Sequence, residues 1–174
     1  MATTKLQGNI INLLGNEVNV GDKAPVVNVV GQDLKDIEVG NKAQIIIIVP
    51  SLDTPVCAAE TRKFNEEAVK TEVETVVVSM DLPFAMGRFC TTEGIENLKV
   101  ASDFRNKDLA NAYGVLIGDG PLTGITCRAV FVIDANGIVR YKEICEDISD
   151  EPNYEAALNA VKEVTETSCC GTCH

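Results

Sequence analysis

Two short apolar runs, Gln44 to Val49 and Val73 to Ser79, frame a segment of helix length. Both runs are rich in β-branched residues, and the first stops at Pro50. Runs of this kind are strands buried on both faces, as in the middle of a sheet. Between them, Val56 to Lys70 is composed of helix-favouring residues. Its Cys57, Thr61, Phe64 and Ala68 are four, three and four apart, so they share one helix face. Strand, helix and strand of this length make a βαβ unit with a right-handed crossover and parallel strands.

The remaining chain adds to that unit. Ile10 to Leu14, the turn Gly15-Asn16 and Val18 to Val20 read as an N-terminal β-hairpin, followed by a loop at Gly21 to Pro25. Lys107 to Tyr113 predicts a second helix stopped by Gly114. Arg128 to Asp134 alternates as a strand, turns through Ala135-Asn136-Gly137, and returns antiparallel along Ile138 to Ile144. A last helix starts near Pro152 and carries Tyr154, Ala157, Leu158, Val161 and Val164 along one stripe. No repeat or linker interrupts the chain. The expected architecture is α/β, a mixed central sheet flanked by helices. We read residues 1–167 as one domain and 168–174 as a Cys-rich C-terminal tail.

Charge and histidine count narrow the chemistry. Fifteen basic against 26 acidic residues leave a net charge of −11, which repels phosphate backbones and anionic membranes. No basic patch offsets it, so neither nucleic acid nor membrane is an expected partner. The longest apolar run, Ile45 to Val49, falls far short of the ~20 residues that span a bilayer. The single histidine is His174, the last residue of the chain. Hydrolases built on a Ser-His or Cys-His pair need a rigidly held histidine, and a terminal residue is poorly suited to that.

Cysteine is abundant: Cys57, Cys90, Cys127, Cys145, Cys169, Cys170 and Cys173. An odd number cannot pair completely within one chain. The N-terminal segment has no apolar signal region, and a reducing, cytoplasmic setting is expected.

The informative stretch runs from Pro50 to Cys57, joining a buried strand to a helix at the strand's carboxyl end. Open α/β sheets place their sites there. Thr54 suits the N-cap and Pro55 the first helical position, which puts Cys57 in the first turn. The unpaired N–H groups and the helix dipole favour a thiolate at that position. Cys57 also reads as a small residue packing its helix on the sheet, and Thr54 as a cap alone.

Pro50, Thr54 and Cys57 match the Pro-x-x-x-Thr-x-x-Cys signature of the peroxiredoxins. The wider text SLDTPVC at 51–57, DLPFAMGRFC at 81–90 and CRAVFVID at 127–134 resembles the bacterial thiol peroxidase subgroup, from about Gly8 to about Val164. The resemblance implies a thioredoxin-like fold with an N-terminal hairpin. It implies that Cys57 is the peroxidatic cysteine and becomes a sulfenic acid. Thr54 would place its hydroxyl between thiolate and peroxide, Arg128 its guanidinium beside the thiolate, and Pro50 would shield the site from water. Cys90 would be the resolving cysteine of the same chain. Read alone, Arg128 is also compatible with a structural ion pair, and Cys90 with a helix-packing residue. The implied substrates are hydrogen peroxide and organic hydroperoxides. Thioredoxin is the implied reductant and a homodimer the implied assembly, and no cofactor or metal is expected.

Cys127 neighbours Arg128 on a strand and so faces the opposite side, while Cys145 ends the next strand; both read as inert. The tail departs from the family pattern. Cys170-Gly171-Thr172-Cys173-His174 spells a c-type haem attachment motif, and with Cys169 it also offers soft ligands for zinc or Cu(I). A CxxC relay to Cys57 and Cys90, or no defined role, are the other readings. Two rival functions follow: a general thiol–disulfide oxidoreductase, and a metal-binding protein acting through the tail.

Overall fold

The computed structural model describes residues 2–68, 70 and 73–172, with the side chains at 68 and 165–172 left aside. Cys173 and His174, and the side chains of Cys169 and Cys170, lie outside that description. The readings of the tail as haem, metal or redox site fall there.

Among the described residues, ten strands form two sheets. The larger contains β3 (Val27–Gly31), β4 (Asp36–Val39), β5 (Gln44–Ile48), β6 (Glu74–Ser79), β7 (Lys99–Ser102), β9 (Ala129–Ile133) and β10 (Val139–Ile144), in the order β10-β9-β5-β6-β7-β3-β4. The β5–β6 and β6–β7 pairs are parallel, and the other pairs are antiparallel. This is the mixed sheet expected from the two apolar runs. Its helices are α1 (Pro55–Ala68), α2 (Pro83–Glu93), α3 (Asp108–Ala112) and α4 (Tyr154–Thr172). The backbone of α4 thus continues as helix through Ser168 to Thr172, the segment read as a tail. Among the described residues no helix is long and apolar enough to cross a membrane.

The period-two rule of a strand divides the core into two layers. Ile45, Ile47 and Val49 join Val77, Val130 and Val132 on one face, where Phe64 of α1, Met86 of α2 and Ala157, Val161 and Val164 of α4 cover them. Ile46, Ile48, Val76, Val78, Phe131 and Ile133 face the other way, toward Leu109 and Ala110 of α3 and Tyr113. Burying each isoleucine contributes about 1.5–3 kcal/mol, which is why the central strands carry β-branched residues on both sides.

The N-terminal hairpin exists, but its turn lies elsewhere than expected. Strands β1 (Thr3–Leu6) and β2 (Asn9–Leu14) pair around Gln7-Gly8, and β8 (Leu116–Ile117) adds to β2 to complete the smaller sheet. Both turn residues are left-handed, with φ of 50° and 85°, as a two-residue hairpin turn requires. Gly15 serves a different need. A Cβ there would collide with the Asn111 carbonyl, which accepts a 2.7 Å bond from the Asn16 amide. Val18 to Val20 is loop rather than strand, although Val18 is buried.

Candidate active site

The carboxyl ends of the parallel strands β5 and β6 lie at one edge of the sheet. Antiparallel β9 pairs Ala129 with Ile48, so Arg128 enters at that same edge. The loop after β5 begins with buried Pro50 and ends at Thr54. Thr54 Oγ1 donates to the Ser51 carbonyl at 3.1 Å and accepts from the Cys57 amide at 3.4 Å. The expected N-cap is therefore formed, and Pro55 opens α1. Cys57 stands in the first turn, which carries no acidic side chain. The first turn of a helix carries the positive end of its dipole.

Arg128 reaches the sulfur from the neighbouring strand. It is 2% exposed and uses three edges of its guanidinium. Nη2 donates to Cys57 Sγ at 3.1 Å, Nη1 to Glu60 Oε2 at 2.6 Å, and Nε to the Ile148 carbonyl at 2.8 Å. The N-terminal hairpin helps to set the last of these: the Ile148 amide donates to the Lys5 carbonyl at 2.8 Å. Burial works against the Arg128 charge, but the charges of Cys57 and Glu60 outweigh it and hold the guanidinium above its ordinary value.

Glu60 is the residue that the sequence reading missed. It lies three positions after Cys57 and therefore on the same helix face. It is fully buried, and Oε1 has no hydrogen-bond partner among the described residues. Burial pushes its carboxyl up to about 7, against the pull of Arg128; Glu143 and Glu151 add to the rise. One guanidinium thus faces both the Glu60 carboxyl and the Cys57 sulfur. The signal available in the sequence was the i+3 spacing from Cys57.

Cys90 lies in α2, on the same side of the sheet as Cys57, and both are free thiols. Burial raises the Cys90 thiol, and the Gln32 amide, whose Nε2 is 3.7 Å from Sγ, opposes that rise. Helix α2 stops just beyond Cys90 at Gly94, whose φ of 67° suits glycine. The structure holds Cys57, Thr54, Arg128 and Pro50 at one edge and Cys90 on a separate helix. Burial pushes Cys127 and Cys145 up to about 12, so neither supplies a thiolate near neutral pH. Among the described residues, no three His, Cys, Asp or Glu side chains are grouped to hold a metal ion.

A capped first-turn cysteine facing a buried arginine is equipped for nucleophilic sulfur chemistry. The Redoxin family model matches residues 19–158. The chain belongs to the redoxin family. A thiol peroxidase of Campylobacter jejuni is 53% identical over 176 residues, covering 99% of this chain and 98% of that protein. A thiol peroxidase of Aquifex aeolicus is 52% identical, covering 93% of this chain and 98% of that protein. The crystal structure of a peroxiredoxin-like protein from Aquifex aeolicus superimposes with a TM-score of 0.91 at 52% identity, covering 94% of this chain and 98% of that one. The expected thioredoxin-like peroxiredoxin fold is borne out, as is a thiol-dependent peroxidase of that kind.

Proposed function

We propose that this redoxin reduces hydrogen peroxide and organic hydroperoxides through Cys57, resolves the product with Cys90, and is recycled by thioredoxin. The contact between Arg128 Nη2 and Cys57 Sγ carries this reading, because it sets a fixed positive charge against a first-turn sulfur. The Cys57 thiolate attacks the terminal peroxide oxygen. The O–O bond breaks, the sulfur becomes a sulfenic acid, and the departing oxygen takes a proton to leave as water or an alcohol. Arg128 and the amides of the first turn stabilise the charge that develops on that oxygen. The Thr54 hydroxyl orients the peroxide, and Pro50 keeps water out. The Cys90 thiolate then attacks the sulfenic sulfur, the S–O bond breaks, and the hydroxyl leaves as water with one proton. Two thiols and one hydroperoxide give a disulfide, an alcohol and water. A reduced dithiol reopens the bond by exchange.

In this reading residues 1–167 carry the reaction and 168–174 are dispensable for the peroxide step. The setting is the cytoplasm, where reduced thiols persist. The assembly is a homodimer joined near the active-site loop; Phe84 at 73% exposure and Leu82 at 51% supply apolar surface there. Stopped-flow mixing of the reduced chain with hydrogen peroxide, followed by non-reducing peptide mass spectrometry, tests the core of it. The expected product is a Cys57–Cys90 peptide after one equivalent. Turnover that persists in Cys57→Ser would overturn the assignment.

A further inference from the structure

Asp81 lies between the two cysteine-bearing helices, in the connection from β6 to α2. Its carboxylate accepts three hydrogen bonds. Ser51 Oγ donates to Oδ1 at 2.8 Å, and the Leu52 amide and Ser79 Oγ each donate to Oδ2 at 2.7 Å. Two of these come from the loop that leads to Cys57. Ser51 is the hub of that loop. Its carbonyl accepts from the Thr54 hydroxyl at 3.1 Å and the Thr54 amide at 3.4 Å, and its own hydroxyl accepts from the Asp53 amide at 3.2 Å. Thr54 in turn caps the Cys57 amide. A continuous chain of hydrogen bonds therefore runs from Asp81 to the backbone of Cys57.

The other end of Asp81 meets α2. Its neighbour Leu82 is the N-cap of that helix and provides no side-chain cap. The first turn of the helix that bears Cys90 thus has no side-chain cap, while the Asp81 carboxylate just before it is committed to the Ser51 loop. An uncapped end frays more readily than a capped one.

We propose that Asp81 is a positioning residue that latches the Cys57 loop in its peroxide-reducing arrangement and delays its joining to the Cys90 helix. The proposal rests on the assignment of Cys57 and Cys90 given above. With the latch closed, the Thr54 cap and the Cys57 sulfur are held for the attack on peroxide. With the latch open, the loop and the start of α2 are freed together, and the two sulfurs approach to the ~2 Å of a bond.

Two variants and one conservative control test this by stopped flow, reading the second-order oxidation of Cys57 and the first-order closure of the disulfide separately. Asp81→Ala should slow oxidation at least tenfold and speed closure at least threefold. Ser51→Ala, which removes one latch bond and leaves the carboxylate, should move both steps in the same directions by smaller factors. Asp81→Asn should restore oxidation to within threefold, because its oxygen still accepts from the Leu52 amide and its nitrogen can donate to Ser51 Oγ. A merely structural role would slow both steps together, and that result, or two unchanged rates, overturns the latch. If Asp81→Ala does not fold, Ser51→Ala decides alone, and unchanged rates in it overturn the proposal. The unmutated chain is run alongside: absence of Cys57 oxidation there counts against the cysteine assignment, and through it against the latch.

Discussion

Arg128 and Cys57 are 71 positions apart in the chain, yet Nη2 of one lies 3.1 Å from Sγ of the other. The register of β9 against β5 creates this contact, because Ala129 pairs with Ile48 at the edge where the Cys57 loop begins. Both partners are buried, so the attraction is poorly screened by solvent.

That burial makes the guanidinium hard to replace. Arg128→Ala should slow peroxide oxidation of Cys57 on the order of 10²-fold or more, the scale seen when one stabilising donor is removed from a reacting centre. It also leaves Glu60 without its partner, so a lower melting temperature accompanies it. Arg128→Lys keeps the charge but cannot reproduce three contacts from one planar fork. It should fold and still react more than tenfold slower. A full-speed lysine variant in the stopped-flow assay would show that charge alone suffices.

Glu60 makes stability depend on pH. Its folded value of about 7 stands above the ordinary 4.5, because burial penalises the charged form more than Arg128 favours it. Its stabilising contribution is therefore fully present below about 4.5 and is lost as pH rises through about 7. A difference of this size is worth on the order of 3 kcal/mol at full titration. Glu60→Gln still accepts from Arg128 but does not titrate. Denaturant melts at pH 5 and pH 8 should show the unmutated chain losing more stability than the variant. Equal losses would mean that Glu60 titrates normally.

The β5-α1-β6 unit was legible because burial on both faces leaves a plain mark, a β-branched run without alternation. The cap was legible because Thr54, Pro55 and Cys57 act through neighbours on the chain. The turn of the first hairpin was not, since glutamine at φ 50° is no turn signal and only the pairing of Thr4 with Ile11 and Lys5 with Ile10 fixes it. Glu60 and Asp81 were missed for a related reason. Each acquires its meaning from partners brought close by the sheet: Arg128 for one, Ser51 and Leu52 for the other. The Thr54 cap could be read from neighbours on the chain, Arg128 came only through the family resemblance, and the partners of Glu60 and Asp81 appear only with the strand order.

Cys90 sits in the last turn of α2 before Gly94, with its thiol raised by burial. It is thus a poor first target for peroxide, and in our reading it reacts only after Cys57 has been oxidised. Cys90→Ser should consume one equivalent of peroxide at close to the normal rate and then stop. Thioredoxin should restore none of its steady-state turnover. Continued turnover, with a linked peptide joining Cys57 to another cysteine, would move the resolving role elsewhere.

In our reading Thr54 has two roles in one hydroxyl, and the size of a rate loss set against the stability loss tells them apart. As a cap it accepts from the Cys57 amide at 3.4 Å, a long contact that contributes at the lower end of the capping range, about 1 kcal/mol or less. As a donor it now spends its proton on the Ser51 carbonyl at 3.1 Å, and the same proton is available to a peroxide oxygen when one enters. Thr54→Ser keeps both functions and should oxidise within a few-fold of the normal rate. Thr54→Val keeps the shape and loses both; its stability should fall by about 1 kcal/mol, while its oxidation rate falls at least about a hundredfold, equivalent to about 2.7 kcal/mol. The disproportion is what matters. A rate loss no larger than the stability loss would confine Thr54 to capping, and peroxide would then be oriented by Arg128 and the first-turn amides without it.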